Sequence, residues 1–560
     1  GTVTGVQTCA LPICLDKNFR RCSMNTKRLF QTLIVLICGL AVSGFAFAGS
    51  QTETTGADLK TMTISTDGDP ATVDPTAEWL RDPQANMFVP LLEYDYVVGE
   101  IIPAGATSYD VSADGLTWTF NIRKNWNWSN GDPVTAHDYE YGFQRIVDPE
   151  TVSPISWRIF NIVNAAAVNA GDMPLDELGV KAIDDYTLEI TLTAPAAWFA
   201  VSLHSVGHAL PIATVEEYGE DWVQPENIVV NGPYTMTEWE LTDKMVLEKN
   251  PSYYNADSVD IEKINILYVS EGSTAMAMYE NDELDTVDVP AEDLDRAKSD
   301  SVLSPEFYNG PAFVLYYYTF DANKPPFDNL LVRKAFAAAI DKATITEKIT
   351  RGGQVPAGTM TPPGSFGHIP PSEGVGIPFD SNQAKKYLAE AGYPGGEGLA
   401  PISLGYNASE INANVAQAIQ KMWLDSLGVE VELKGFDSGY NDAVSAGAFS
   451  VHRHGWGMDF PDAHNVLGEI FRSKAKHGDA SFSVFLQIPE FDELIDSAAV
   501  ETDPGKRYAM YLEAERILVE EYAASIPLYW YASNWVAKPY LDRAKVPSFN
   551  QSWYLWTLDK

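Results

Sequence analysis

Between Leu116 and Trp128 the chain reads LTWTFNIRKNWNW, with apolar and polar positions alternating through β-favouring residues, and Ser-Asn-Gly-Asp-Pro follows. A period of two with a turn signal behind it predicts a strand pair with one aromatic face. The period changes near Asp328. Val332, Phe336, Ala339 and Ile340 recur at helical spacing, which predicts a helix from Leu330 to about Ile340 capped by Asp328. Asp503 followed by Pro504 marks another helix start, with the helical pattern running to about Tyr522. Such segments alternate irregularly, and 34 prolines and 40 glycines are spread among them, so the chain reads as mixed α/β with long connections. There is no internal repeat. Residues 351–380 carry six prolines and seven glycines without a period. A loop of that length in a compact fold is expected to be functional or to connect two lobes, with disorder as the alternative.

The N-terminal pattern differs. From Met24 come Lys27 and Arg28, an apolar run from Leu33 to Leu40, and Ala46-Phe47-Ala48 before Gly49. This order predicts a secretory signal over 24–48 cleaved after Ala48, too short to span a membrane. Anchoring as a lipoprotein through Cys38 is the alternative, which the bulky Ile37 before it disfavours. Residues 1–23 fit neither signal nor fold and read as a non-native leader. All four cysteines (Cys9, Cys14, Cys22, Cys38) precede the cut, so the exported chain has no disulfide and must rely on a large core. Residues 49–560 suffice for roughly three domains.

The formal net charge is −39, and about −43 once residues 1–48 are removed, because they hold five basic residues and one acidic. That excludes nucleic acid as a partner. It suits either steering of cationic ligands or an acidic surface that keeps an exported protein in solution. Catalytic signatures are missing: no G-x-S-x-G, no G-x-x-x-x-G-K-[ST], no H-E-x-x-H, and no cysteine after residue 48. The chain is therefore read as a non-enzyme without a cofactor. His452 and His454 flank Arg453 and share a strand face, but without a third ligand they read as packed polar residues and no metal is expected. The acidic run ENDELDTVD (280–288) lacks the spacing of a calcium loop and reads as a solvated connection. Aromatic residues make up 12% of the chain. Trp126, Trp128, Trp456, Trp530 and Tyr316–Tyr318 are expected either to pack the core or to line a cavity.

Several blocks resemble one family. The stretch Asp110–Pro149, DVSADGLTWTFNIRKNWNWSNGDPVTAHDYEYGFQRIVDP, is similar to the signature of the oligopeptide-binding proteins of ABC importers, solute-binding protein family 5. So are NGPYTMTEWELTDKMVLEKNPSYYN (231–255), PFDNLLVRKAFAAAIDK (326–342), YLAEAGYPGGEG (387–398) and IPLYWYASNWVAKPY (526–540), in family order. The resemblance implies a two-lobed periplasmic-binding-protein-like α/β fold with an additional inserted domain and a two-segment hinge. Lobe I is expected over 49–91, 212–315 and 530–560, the inserted domain over 92–211, and lobe II over 316–529. It further implies a monomer in the periplasm that closes on an oligopeptide and delivers it to the permease and ATPase subunits of an importer.

The same resemblance places ligand contacts. In HGWGMDFPDAHNV (454–466) and the residue before it, Arg453, Trp456 and Asp459 match the family in type and spacing, and the aspartate is implied to hold the peptide's α-ammonium. Gly455 and Gly457 would let a ligand backbone approach. Trp79, Leu80 and Arg81 fall where lobe I supplies its side of the clamp, through the backbone. His204 aligns with a pocket histidine or is a packed core residue. Positions that receive the ligand carboxylate in short-peptide binders here read Asn412 and Val444, with Thr350 or Arg351 at the lysine position, and Ile155 replaces a cleft tyrosine. Non-peptide ligands of the same fold (a nickel chelate, haem, an oligosaccharide or an opine-like compound) therefore stay open. An extracellular hydrolase is the remaining alternative.

Overall fold

The computed structural model describes residues 59–473, 486–547 and 551–560. The leader, the signal segment and Cys38 lie outside the described residues. None of the described helices is long and apolar enough to cross a membrane.

An eleven-stranded mixed sheet runs through the molecule. Its order is Val431–Phe436, Ile402–Asn407, Val451–Gly457, Phe307–Phe320, Ser525–Ala537, Thr286–Asp288, Thr61–Thr66, Lys263–Tyr268, Lys244–Lys249, Tyr234–Glu240, and Val355–Pro356 adds to Ser525–Ala537. The two longest strands, Phe307–Phe320 and Ser525–Ala537, pair antiparallel and pass from one half to the other. Their register slips between Pro311 and Leu315 and again between Tyr316 and Tyr317, so the crossing carries two irregularities. The boundaries expected at 315/316 and 529/530 fall on this pair.

Apolar residues collect on either side of it. One core joins residues from Met62 to Ile266 with Trp535–Leu558. Two further cores are built mainly from residues 313–530, one around Phe336, Trp423 and Leu404, the other around Trp456, Tyr511 and Trp530. The result is two α/β lobes. Within 92–211 a separate four-stranded antiparallel sheet forms, ordered Ala106–Val111, Thr117–Ile122, Thr187–Thr191, Val180–Asp184. The tryptophans and tyrosines singled out from the sequence, Trp126, Trp128, Trp530 and Tyr316–Tyr318, are buried in these cores.

Four local expectations change. The alternating run 116–128 is a strand only over Thr117–Ile122, where Trp118, Phe120 and Ile122 face inward. Asn125 turns to φ 57°, and Trp126 and Trp128 then bury themselves in a tight return closed by Val134 N–H to Trp126 O. The helix Leu330–Ala338 is capped by Asn329, whose side chain accepts from Leu331 N–H, one residue after the expected Asp328. The acidic run is a solvated connection only over its first half: Glu280, Asp282 and Glu283 are exposed, whereas Asp285 is buried and accepts from Thr63 N–H at 2.6 Å and Tyr540 OH at 2.7 Å, and Thr286–Asp288 is a strand. Residues 351–380 do not connect lobes. They join turns whose Ile345, Ala384 and Leu388 share one core, and they are ordered by packing: Ala357, Met360 and Ile369 are buried, and Glu515 accepts from the N–H groups of Met360 and Thr361. The helix at Pro504 is as expected, with Asp503 accepting from Lys506 N–H and the helical path widening at Ile517–Glu521.

Candidate ligand-binding site

The strand Val451–Gly457 carries most of the expected contacts. Its alternation buries His452, His454 and Trp456 on one face and leaves Arg453, Gly455 and Gly457 half-buried on the other. It pairs antiparallel with Phe307–Phe320, setting Gly457 opposite Val314 and Arg453 opposite Tyr318. On its other side, pairing with Ile402–Asn407 involves only Val451 and His452. Glycine at 455 keeps room for the Arg453 head: a Cβ there would lie 2.8 Å from Arg453 Nη2.

Beyond the strand, one residue that sequence reasoning missed organises the turn. The Asn465 side-chain oxygen accepts from Trp456 Nε1–H at 2.9 Å and from Asp459 N–H at 3.0 Å. Its amide nitrogen donates to Asp459 Oδ2 at 3.3 Å and to Glu469 Oε2 at 2.6 Å. Asp462 anchors the same turn by accepting from His464 N–H and from both terminal nitrogens of Arg507, a buried bidentate pair at 2.7 and 2.9 Å. Asp459 is thus held by its neighbours, and its own carboxylate forms an ion pair with Arg158, a second residue the sequence did not flag.

A cavity of about 470 Å³ opens at this point, within the range of small-ligand sites. Trp79, Leu80, Arg81, His204, Trp456, Gly457 and Asp459 line it together, joined by Tyr96, Tyr268 and Arg158. The Arg158 guanidinium lies 4.4 Å from the centre of the Trp79 ring. Trp157 stands 6.5 Å from both Trp79 and Trp456. His204 is both packed and cavity-lining. Burial lowers its pKa to about 4. Its Nδ1 meets Val201 O at 2.6 Å, which requires a proton there, so Nε2 accepts from Tyr96 OH at 2.9 Å. Burial and the Asp459 charge push Glu469 well above the usual carboxyl range.

Arg453 and Gly455 are not in this cavity. They line a second one of about 380 Å³ with Asn407, Phe436 and Tyr440. There Arg453 donates to Asn407 Oδ1 at 2.9 Å and Tyr531 OH at 3.2 Å, with its guanidinium over Tyr316. Asn412 donates to Asn407 O and so steadies the Arg453 partner, whereas Val444 and Ile155 are core residues and Arg351 pairs with Asp295. Among the described residues no group of three His, Cys, Asp or Glu side chains is arranged to hold a metal.

Comparison with known proteins identifies the family. The family described as bacterial extracellular solute-binding proteins, family 5 Middle, matches residues 100–478. The periplasmic oligopeptide-binding protein OppA of Escherichia coli (strain K12) is 33% identical over 452 residues, covering 79% of this chain and 81% of that protein. The oligopeptide-binding protein OppA of Bacillus subtilis (strain 168) is 33% identical over 470 residues, covering 81% and 84%. A solved structure of Haemophilus influenzae OppA in complex with RPPGFSPFR has a TM-score of 0.72 and 30% identity, covering 90% of this chain and 100% of that one. With the family matched across the strand, the turn and the Arg158 segment alike, the chain belongs to the bacterial extracellular solute-binding proteins of family 5.

Proposed function

We propose that the chain is the extracytoplasmic binding component of an ABC importer, capturing oligopeptides between its lobes and passing them to a membrane permease without chemical turnover. The observation that carries this reading is the strand Val451–Gly457, which runs past two cavities in succession. A carboxylate stands beyond one end at Asp459, a guanidinium lies near the other at Arg453, and glycines occupy the open face between them. An extended peptide laid along such a strand is bound chiefly through its main chain, which all peptides share, so affinity depends little on sequence. The peptide's N-terminal end lies at Asp459, and the cavity by Trp79 takes its first residue. The relatives named as oligopeptide-binding, and the one solved with a nonapeptide, support the ligand class.

Lobe I over 49–91, 212–315 and 530–560, an inserted domain over 92–211, and lobe II over 316–529 remain the proposed division. Closure is about the paired strands Phe307–Phe320 and Ser525–Ala537, and export uses the signal over 24–48. The test is a thermal-shift screen of residues 49–560 against pools of short oligopeptides. Stabilisation that grows with peptide concentration is expected, because the ligand binds only the native state. No response to any peptide pool, or hydrolysis of the peptide, refutes the reading.

A further inference from the structure

The place where a ligand amine is expected to meet Asp459 is already held by the guanidinium of Arg158. Arg158 belongs to the turn Ser156–Ile159, and the two side chains are only 7% and 11% exposed. The indoles of Trp79, Trp157 and Trp456 stand around them, so an ion pair whose charges cancel sits among apolar rings. Glu469 shares the Asn465 amide with Asp459, and burial and the Asp459 charge push its carboxyl well above the usual range. An α-ammonium brought here would have to share the Asp459 carboxylate with the guanidinium that already holds it. An N-acylated terminus brings no cation. It leaves the Arg158–Asp459 pair in place and needs no counter-ion of its own.

We propose that Arg158 is a specificity-determining residue that stands in for the ligand's ammonium, so that the cleft takes peptides with an N-acylated terminus at least as well as free ones. The inference rests on the peptide reading above and deepens it by naming the head group. Arg158→Met keeps the stem beneath Trp79 and removes the charge, which returns Asp459 to an ammonium.

The experiment is titration calorimetry of wild type and Arg158→Met with alanine tri- and pentapeptides, each as the free amine and the N-acetyl form. In wild type the acetylated form binds at least as tightly. In Arg158→Met the ratio moves toward the free amine by about fivefold or more, the equivalent of about 1 kcal/mol. A wild type that prefers the free amine, or a ratio that the substitution leaves in place, overturns the inference while leaving the peptide reading intact. Failure of both forms to bind both proteins refutes the peptide reading and the inference with it. Should Arg158→Met not fold, Arg158→Gln is used, and if neither folds the wild-type preference alone decides.

Discussion

Asp459→Ala tests whether this carboxylate is part of the resting structure or waits for a ligand. In the ligand-free protein Asp459 accepts from Arg158 and from Asn465, with both members of the ion pair almost fully buried. Removing the acid leaves a buried guanidinium without its counter-ion, a loss on the scale of about 3–5 kcal/mol. Unfolding entropy of about 2.1 cal/mol/K per residue over roughly 500 residues gives about 1 kcal/mol/K, so Tm should fall by about 3–5 °C. Arg158→Met in the same background removes the stranded charge, and the double variant should recover about 1–3 kcal/mol relative to additivity. The assay is scanning calorimetry of wild type, both single variants and the double, each stripped of ligand by unfolding and refolding. An Asp459→Ala protein as stable as wild type, or strictly additive losses in the double variant, refutes the argument that Arg158 and Asp459 hold each other.

Glu515→Ala leaves the buried N–H groups of Met360 and Thr361 without their acceptor, at about 1–3 kcal/mol for each. A lowered urea midpoint and new proteolytic cuts within 351–380 are the expected readouts. Gly455→Ala places a methyl against Arg453 and should weaken peptide binding by about tenfold, roughly 1.4 kcal/mol, with little change in Tm, as read by calorimetry. Burial lowers His204 to about 4 and His208 and His452 to about 3. Their imidazole NMR shifts should stay those of neutral rings down to about pH 5, while unfolded histidines protonate near 6.5. Because the unfolded chain takes up those protons first, the three groups lower stability as pH falls from about 6.5 toward 4, and a histidine that titrates normally in the native protein contradicts this.

Periodicity made the helices at Leu330 and Pro504 and the strand at Thr117 legible, because each is set by residues within a few positions of one another. It misplaced a cap by one residue, since Asp328 and Asn329 both suit the role and only packing selects the register. Burial of Asp285 within the acidic run was not legible, because it is satisfied by Thr63 and Tyr540, which lie more than 200 residues away in sequence. The same holds at the site. Arg453, Trp456 and Asp459 stood out through spacing and family likeness, whereas Arg158 reaches Asp459 across 301 positions and nothing around Trp157-Arg158 announces a partner. Asn465 lies only six residues from Asp459, but its role depends on the turn that Asp462 and Arg507 fix.

On this reading peptide lies along the open face of the strand Val451–Gly457. Mass spectrometry of whatever the purified protein releases on denaturation tests it most directly. Peptides of about two to six residues are expected, the upper length being that of extended chain, roughly 3.3 Å per residue, reaching from Arg453 to Asp459, with heterogeneous side chains and close to one per protein. Release of a single non-peptide solute, bound again by the refolded protein while peptides are not, would contradict it.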